Sequence, residues 1–278
     1  KFQFEKNTTD YKVLLQDNEI NTLLITTQHN SHKKFVCESL QAGKHVFVEK
    51  PLAMNREELQ EIEDVYQKHP GLQLLVGFNR RFSPHALKMK QLLETRISPL
   101  SMIMTVNAGQ IPVDHWTQDP KRGGGRIIGE GCHFIDLLMF LVGQPITSVF
   151  AMKLGNSADQ VIEDKMTIQL MFADGSMGTI HYFANGSKDI PKERLEVFSD
   201  GRVLQLDNFK RLVGFGFKNF KKMSTFIQDK GHNNEMKAFV HSIEEGTPSP
   251  ISFEELKNTT LASFAAVESA EQQKLITI

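Results

Sequence analysis

The stretch His45-Val46-Phe47-Val48-Glu49-Lys50-Pro51-Leu52-Ala53-Met54-Asn55 decides how this chain is read. An apolar strand pattern, His45–Val48, stops abruptly on a carboxylate, an ammonium and a proline. Asn55 then caps a helix with Glu57 and Glu58 in its first turn, where the helix dipole favours them. In an open α/β sheet the ligand crevice lies beyond the carboxyl ends of the strands, and Lys50 stands at such an end. Pro51 cannot donate a ladder bond and biases Lys50 towards an extended backbone, which fixes where the ammonium points. The competing reading is a surface lysine followed by a proline that merely ends the strand. Spacing alone leaves the two readings even.

Working outward, the pattern repeats. Thr22–Ile25 is a compact apolar run. Ser31 is placed to cap a helix carrying Phe35, Val36, Leu40 and Ala42, which Gly43 stops. His69-Pro70-Gly71 ends the next helix, and residues 72–78 read as a third strand. The first residues, through Asp17, read as a helix that precedes a middle strand. Strands alternating with helices over short connections indicate a parallel sheet covered on both faces. Further on the period changes to two. Met166, Ile168, Leu170 and Phe172 alternate with polar residues, Ala173-Asp174-Gly175 turns the chain, and residues 177–183 alternate again. Leu195–Phe198 runs into Ser199-Asp200-Gly201-Arg202, a strong hairpin signal. Helices follow near 233–245 and 253–272. The fold class is therefore α/β: a parallel sheet followed by an α+β region with a large, mostly antiparallel open sheet.

Bulk properties narrow the function. The chain has 278 residues, 40% apolar and 23% charged, which suits a globular protein with ample core. A formal net charge of −1 gives no electrostatic reason to expect nucleic acid or an anionic membrane as partner. No apolar run reaches about 18 residues. Cys37 and Cys132 are the two cysteines, and they read as free thiols of a reducing compartment, hence a cytoplasmic protein. Neither G-x-G-x-x-G nor the P-loop pattern occurs; Gly123-Gly124-Gly125 and Gly214-Phe215-Gly216 lack the third glycine at the right offset.

Four motifs in order carry a resemblance: Ile25-Thr26-Thr27-Gln28-His29-Asn30-Ser31-His32, Ala42 to Ala53 around Glu49-Lys50-Pro51, Gly77-Phe78-Asn79-Arg80-Arg81-Phe82, and Gly123 to Asp136 around His133. Together they resemble the glucose–fructose oxidoreductase / inositol dehydrogenase / rhizopine-catabolism (Gfo/Idh/MocA) family, over nearly the whole chain. The resemblance implies a partial Rossmann domain over residues 1–79, its first βαβ unit absent, and a substrate-binding and oligomerisation domain over 80–278. It implies NAD or NADP as cofactor, weakly held or not held by these residues alone, and a sugar-like or nucleotide-sugar-like alcohol as substrate. In this reading Lys50 and His133 are catalytic, Lys50 stabilising a developing alkoxide and His133 moving the hydroxyl proton. Thr26, Thr27, His29, His32, Glu49 and Lys50 line the cofactor crevice. Asn79, Arg80, Trp116, Arg126 and Glu130 are substrate-side candidates. No metal is expected, because His29 and His32 lack further ligands.

Two departures stand out. The family usually has Asp at the position of Gly129, one helical turn before the histidine; Glu130 is adjacent, but one residue of helix rotates it by about 100°. Gln28 stands where proline is usual. The resemblance also implies a homo-oligomer, since the family's sheet commonly packs on a second subunit, and residues 166, 168, 170, 172 and 180 line one set of alternating positions. The alternative to an enzyme is a non-catalytic member serving as an oligomerisation or interaction module.

Overall fold

The computed structural model describes residues 4–155 and 164–278. A short helix α1 (Lys12–Gln16) leads into β1 (Thr22–Ile25), α2 (His32–Gln41), β2 (His45–Val48), α3 (Arg56–Tyr66) and β3 (Leu74–Val76). The three strands are parallel in the order β1-β2-β3. Asn55 caps α3 as its sequence requires, its side chain accepting from the Glu58 amide at 2.8 Å. Gly43 ends α2 at a φ of +73°. Ser31 precedes α2 but does not cap it: its hydroxyl donates to the Gln28 carbonyl at 2.7 Å and meets Thr27, closing the loop after β1 instead. The third strand is shorter than its apolar run, because Gly77 and Phe78 turn away into the site.

After α4 (Pro84–Leu93) the chain builds a nine-stranded sheet. It contains β4 (Ser101–Asn107), then, after α5 (Cys132–Val142), β5 (Ile146–Lys153), β6 (Lys165–Phe172), β7 (Met177–Phe183), β8 (Glu193–Ser199), β9 (Arg202–Asp207), β10 (Arg211–Phe215) and β11 (Lys222–Ser224). Helices α6 (His232–Glu244) and α7 (Phe253–Gln272) precede the last strand, β12 (Ile276–Thr277). The order is β11-β10-β9-β8-β4-β7-β6-β5-β12, antiparallel except for β4 beside β7. Asp200 and Gly201, with φ of 50° and 74°, make the two-residue hairpin joining β8 and β9.

One face of this sheet packs on α5 and α7. Met166, Ile168, Leu170, Phe172 and Ile180 all lie in that core. They are therefore not the surface by which a second subunit would attach, since period-two alternation cannot say which face the helices cover. The opposite face carries the exposed apolar side chains Ile103, Met171, Met177, Phe183 and Phe198. A second core surrounds β1–β3, and the end of the chain helps to close it: Phe239 of α6, Ile251, and Leu256 and Phe264 of α7 pack with Val46, Phe47, Ile62 and Leu75.

The two cores are joined by buried ions. Arg81, just past β3, donates to both carboxylate oxygens of Asp136 on α5, at 3.0 and 2.6 Å, and to Glu255 of α7 at 2.9 Å. Arg80 makes a second two-pronged pair with Glu193 of β8, both contacts 2.9 Å. A buried charge stripped of its partner is costly. Arg81→Met, which strands Asp136, is expected to lower unfolding free energy by about 3–5 kcal/mol in urea titrations. Adding Asp136→Leu should recover part of that loss; a single variant as stable as the parent would show that the pair does not hold the cores together.

Candidate active site

The carboxyl ends of β1, β2 and β3 open on one crevice. Beyond β1, Thr26 and Thr27 are exposed and His29 is buried. Beyond β2 come the half-buried Glu49 and Lys50, followed by a cis Lys50–Pro51 bond. Beyond β3, Gly77 lies against the Glu49 carboxylate: a Cβ at 77 would sit 3.2 Å from Oε2. The loops are laced together by His32, with Nδ1 2.7 Å from the Pro51 carbonyl and Nε2 3.1 Å from that of Thr27.

The opposite wall is a π-helical turn, Ile127–Gly131, that runs directly into α5. The Cys132 amide reaches back to the Ile127 carbonyl. Such wide turns occur often at functional sites, because the extra residue re-aims the side chains beyond it. Lys50 crosses the crevice and donates to the Gly129 carbonyl at 2.8 Å, so the lysine of the first sheet is seated on the wall supplied by the second. His133, two residues past the turn, is 7% exposed, with Phe78 edge-on at 6.2 Å between ring centroids. Its buried Nδ1 has no hydrogen-bond partner. Burial, then the positive charges of Arg80, Lys50 and Lys192, hold the imidazole well below its usual range, so it is neutral at pH 7.

His29 stands beside this wall. Its Nδ1 lies 2.7 Å from the Gly123 carbonyl, and Trp116 packs edge-on at 4.7 Å. Burial lowers its pKa to about 4, Lys50 and His32 adding to the effect against the pull of the Gly123 carbonyl. Gly123 is itself forced by close approach, since a Cβ there would lie 2.3 Å from Thr117 Cα.

The crevice thus brings together Lys50, His133, His29, Glu49 and the Thr26–Thr27 loop. Three expected substrate-side groups are instead committed to protein. Arg80 is used up by Glu193. Asn79 donates to the Lys230 carbonyl at 2.8 Å. Arg126 donates to the carbonyls of Gly109 and Ala108 and to Glu130. Glu130 makes no hydrogen bond to His133; it accepts from Arg126, Lys192 and the Tyr182 hydroxyl. Burial pushes its carboxyl up, but Lys192, Tyr182 and Arg126 outweigh this and hold it at about 2. Sequence reading missed Tyr182 and Lys192, which lie more than 50 residues from Glu130 and leave no local signal.

It also missed Glu235. This residue of α6 is 2% exposed, and its Oε1 has no partner. Burial, then the charges of Glu49 and Asp136, raise its pKa from 4.5 to about 9 against the pull of Arg81. The folded state therefore binds a proton that the unfolded state has released. Its stabilising effect is complete below pH 4.5 and is lost as pH rises towards 9. Glu235→Gln, which keeps the shape and removes the titration, is expected to raise Tm by a few degrees at pH 8 and to change it little at pH 4.5. A Tm difference that does not vary with pH would rule out this protonation.

Residues 1–78 match the model described as the oxidoreductase family with an NAD-binding Rossmann fold, and residues 87–203 match the GFO/IDH/MocA C-terminal domain. The myo-inositol 2-dehydrogenase of Thermotoga maritima is 25% identical, over 99% of this chain and 85% of its own length. The inositol 2-dehydrogenase of Rhizobium meliloti is 26% identical, over 94% and 81%. A levoglucosan dehydrogenase solved in complex with NADH and levoglucosan has the same fold, with a TM-score of 0.84 at 21% identity, covering 99% of this chain and 84% of that one. With both halves matched in order, the chain belongs to the Gfo/Idh/MocA family of oxidoreductases.

Proposed function

We propose that this chain carries the catalytic machinery of an NAD(P)-dependent oxidoreductase that moves a hydride to or from a sugar- or cyclitol-like secondary alcohol. The observation that carries this reading is the convergence of Lys50 and a neutral His133, whose buried Nδ1 has no partner, on one crevice at the strand ends. In the oxidative direction the alcohol C–H leaves as hydride, the O–H proton passes to the His133 imidazole, and a carbonyl forms. Lys50 donates to the reacting oxygen and stabilises the negative charge that develops there. A neutral imidazole is the form that accepts a proton. The inositol and levoglucosan dehydrogenases among its relatives support a polyol or sugar as the substrate class.

The residues present fit the nicotinamide half of a dinucleotide. Thr26, Thr27 and Glu49 border the crevice, and the unpartnered Nδ1 of His133 is a buried polar atom that calls for a ligand. When bound, the dinucleotide accepts or supplies the hydride. The glycine turn that usually cradles a pyrophosphate at a helix N-terminus is not in the sequence, so these 278 residues alone are expected to hold the cofactor weakly.

Lys50→Ala in the full gene product should lower kcat on myo-inositol or another accepted polyol by about 10²–10³, and His133→Ala by about 10²–10⁴. Because both act on one oxygen, the double variant should be little worse than the poorer single. Both singles should keep the parent's NAD(H) affinity in calorimetry. Parent-like turnover of Lys50→Ala would end the reading. The same proposal includes a homo-oligomer built on the outer sheet face, where Phe198, Met177 and Met171 lie across neighbouring strands. Light scattering at tens of micromolar should give a dimer or larger; a monomer would oppose it.

A further inference from the structure

We propose that His29 is a substrate-recognition residue whose Nε2 accepts a hydrogen bond from a hydroxyl adjacent to the one held by Lys50, so that the site selects vicinal diols. This rests on the polyol reading above and adds a second contact to it. The argument begins at Gly129. A Cβ built there would stand 2.8 Å from His29 Cε1 and 3.2 Å from Nδ1. The imidazole therefore occupies the space into which a side chain at 129 would project, and residue 129 must stay small while His29 is present. On the same glycine, the carbonyl takes the Lys50 ammonium at 2.8 Å. Lys50, a donor, and His29 thus flank a single residue of the crevice wall.

The state of the ring follows from its contacts. A carbonyl only accepts, so the 2.7 Å contact with Gly123 places the proton on Nδ1. Nε2 is then left with its lone pair, and no described residue hydrogen-bonds to it. The ring is 6% exposed and gripped by Trp116 and the Gly129 backbone, so that lone pair has a fixed direction. The low pKa of His29 keeps Nε2 an acceptor through neutral pH. An acceptor beside an ammonium donor matches two adjacent hydroxyls, one donating and one accepting. A site built to bond a hydroxyl rejects the analogue that lacks it.

Two substitutions separate the nitrogens. His29→Asn keeps an amide donor for the Gly123 carbonyl and has no atom at the place of Nε2. His29→Gln reaches that place with its carbonyl oxygen. The test uses the full gene product saturated with NADH, titrated calorimetrically with myo-inositol and with cyclohexanol, which has no adjacent hydroxyl. His29→Asn should reduce the preference for myo-inositol about tenfold, with NADH affinity unchanged, and His29→Gln should restore most of it. In thermal melts Gly129→Ala should lower Tm more in the parent than in the His29→Asn background, which removes the 2.8 Å contact with Cε1 and keeps the longer one. An unchanged preference in His29→Asn, with the parent binding myo-inositol, overturns this proposal alone. A loss of NADH affinity in its place also overturns it, by assigning His29 to the cofactor. Equal Tm losses in both backgrounds overturn the packing argument on which it stands. A parent that binds and oxidises no polyol overturns both this proposal and the wider reading.

Discussion

The two-pronged bond between Arg81 and Asp136 is the constraint on which the rest of the molecule depends. Arg81 leaves the third parallel strand, and Asp136 lies on the helix that carries His133, three residues further along. Fixing Asp136 therefore fixes the azimuth of His133. The neighbouring Arg80 runs to the second sheet, where Glu193 takes both prongs, and its guanidinium lies 4.8 Å above the ring of Phe134. Two consecutive arginines thus set both the helix and the sheet against the strand ends. Buried ion pairs add little net stability over apolar packing. Their contribution here is geometric: planar, paired contacts admit one arrangement of the two cores, and in that arrangement Lys50 reaches Gly129.

The electrostatics of the crevice follow from the same arrangement. Arg80, Lys50 and Lys192 all act on His133 in one direction, against the charged form. A cationic environment of that kind serves proton removal from an alcohol twice over, by keeping the base unprotonated and by favouring negative charge on the oxygen. Glu130, which would offset it, stays ionised but is paired with Lys192 and Arg126 and accepts from the Tyr182 hydroxyl.

Much of this was legible in the order of residues. The abrupt strand end at Glu49-Lys50-Pro51, the Asn55 cap and the Asp200-Gly201 hairpin are local signals, each set by a few neighbours, and each stands where the sequence places it. The resemblance carried the family. What was not legible depends on partners far along the chain. Arg80 and Arg126 read as substrate-side groups because nothing nearby announces Glu193 or the Gly109 carbonyl. The alternation in β6 and β7 revealed two faces but not which one α5 and α7 would cover. Gly129 read as a loss, the missing carboxylate before His133, because one-dimensional spacing cannot show that His29, a hundred residues earlier, fills its volume. The π-helical turn was likewise invisible, since its residues carry an ordinary helical pattern.

The return of α6 and α7 to the first core has a consequence for how the protein is made. Gln73 beside β3 hydrogen-bonds to the Thr247 carbonyl, 174 residues away, and Phe47 packs at 6.0 Å from Phe239. A nascent chain that has finished its parallel strands still lacks Phe239, Ile251, Leu256 and Phe264, which seal them. On the ribosome, this core waits for residues made long after its strands. Its apolar flank stays bare while β4 to β11 are synthesised, an interval in which such surfaces invite aggregation or chaperone binding.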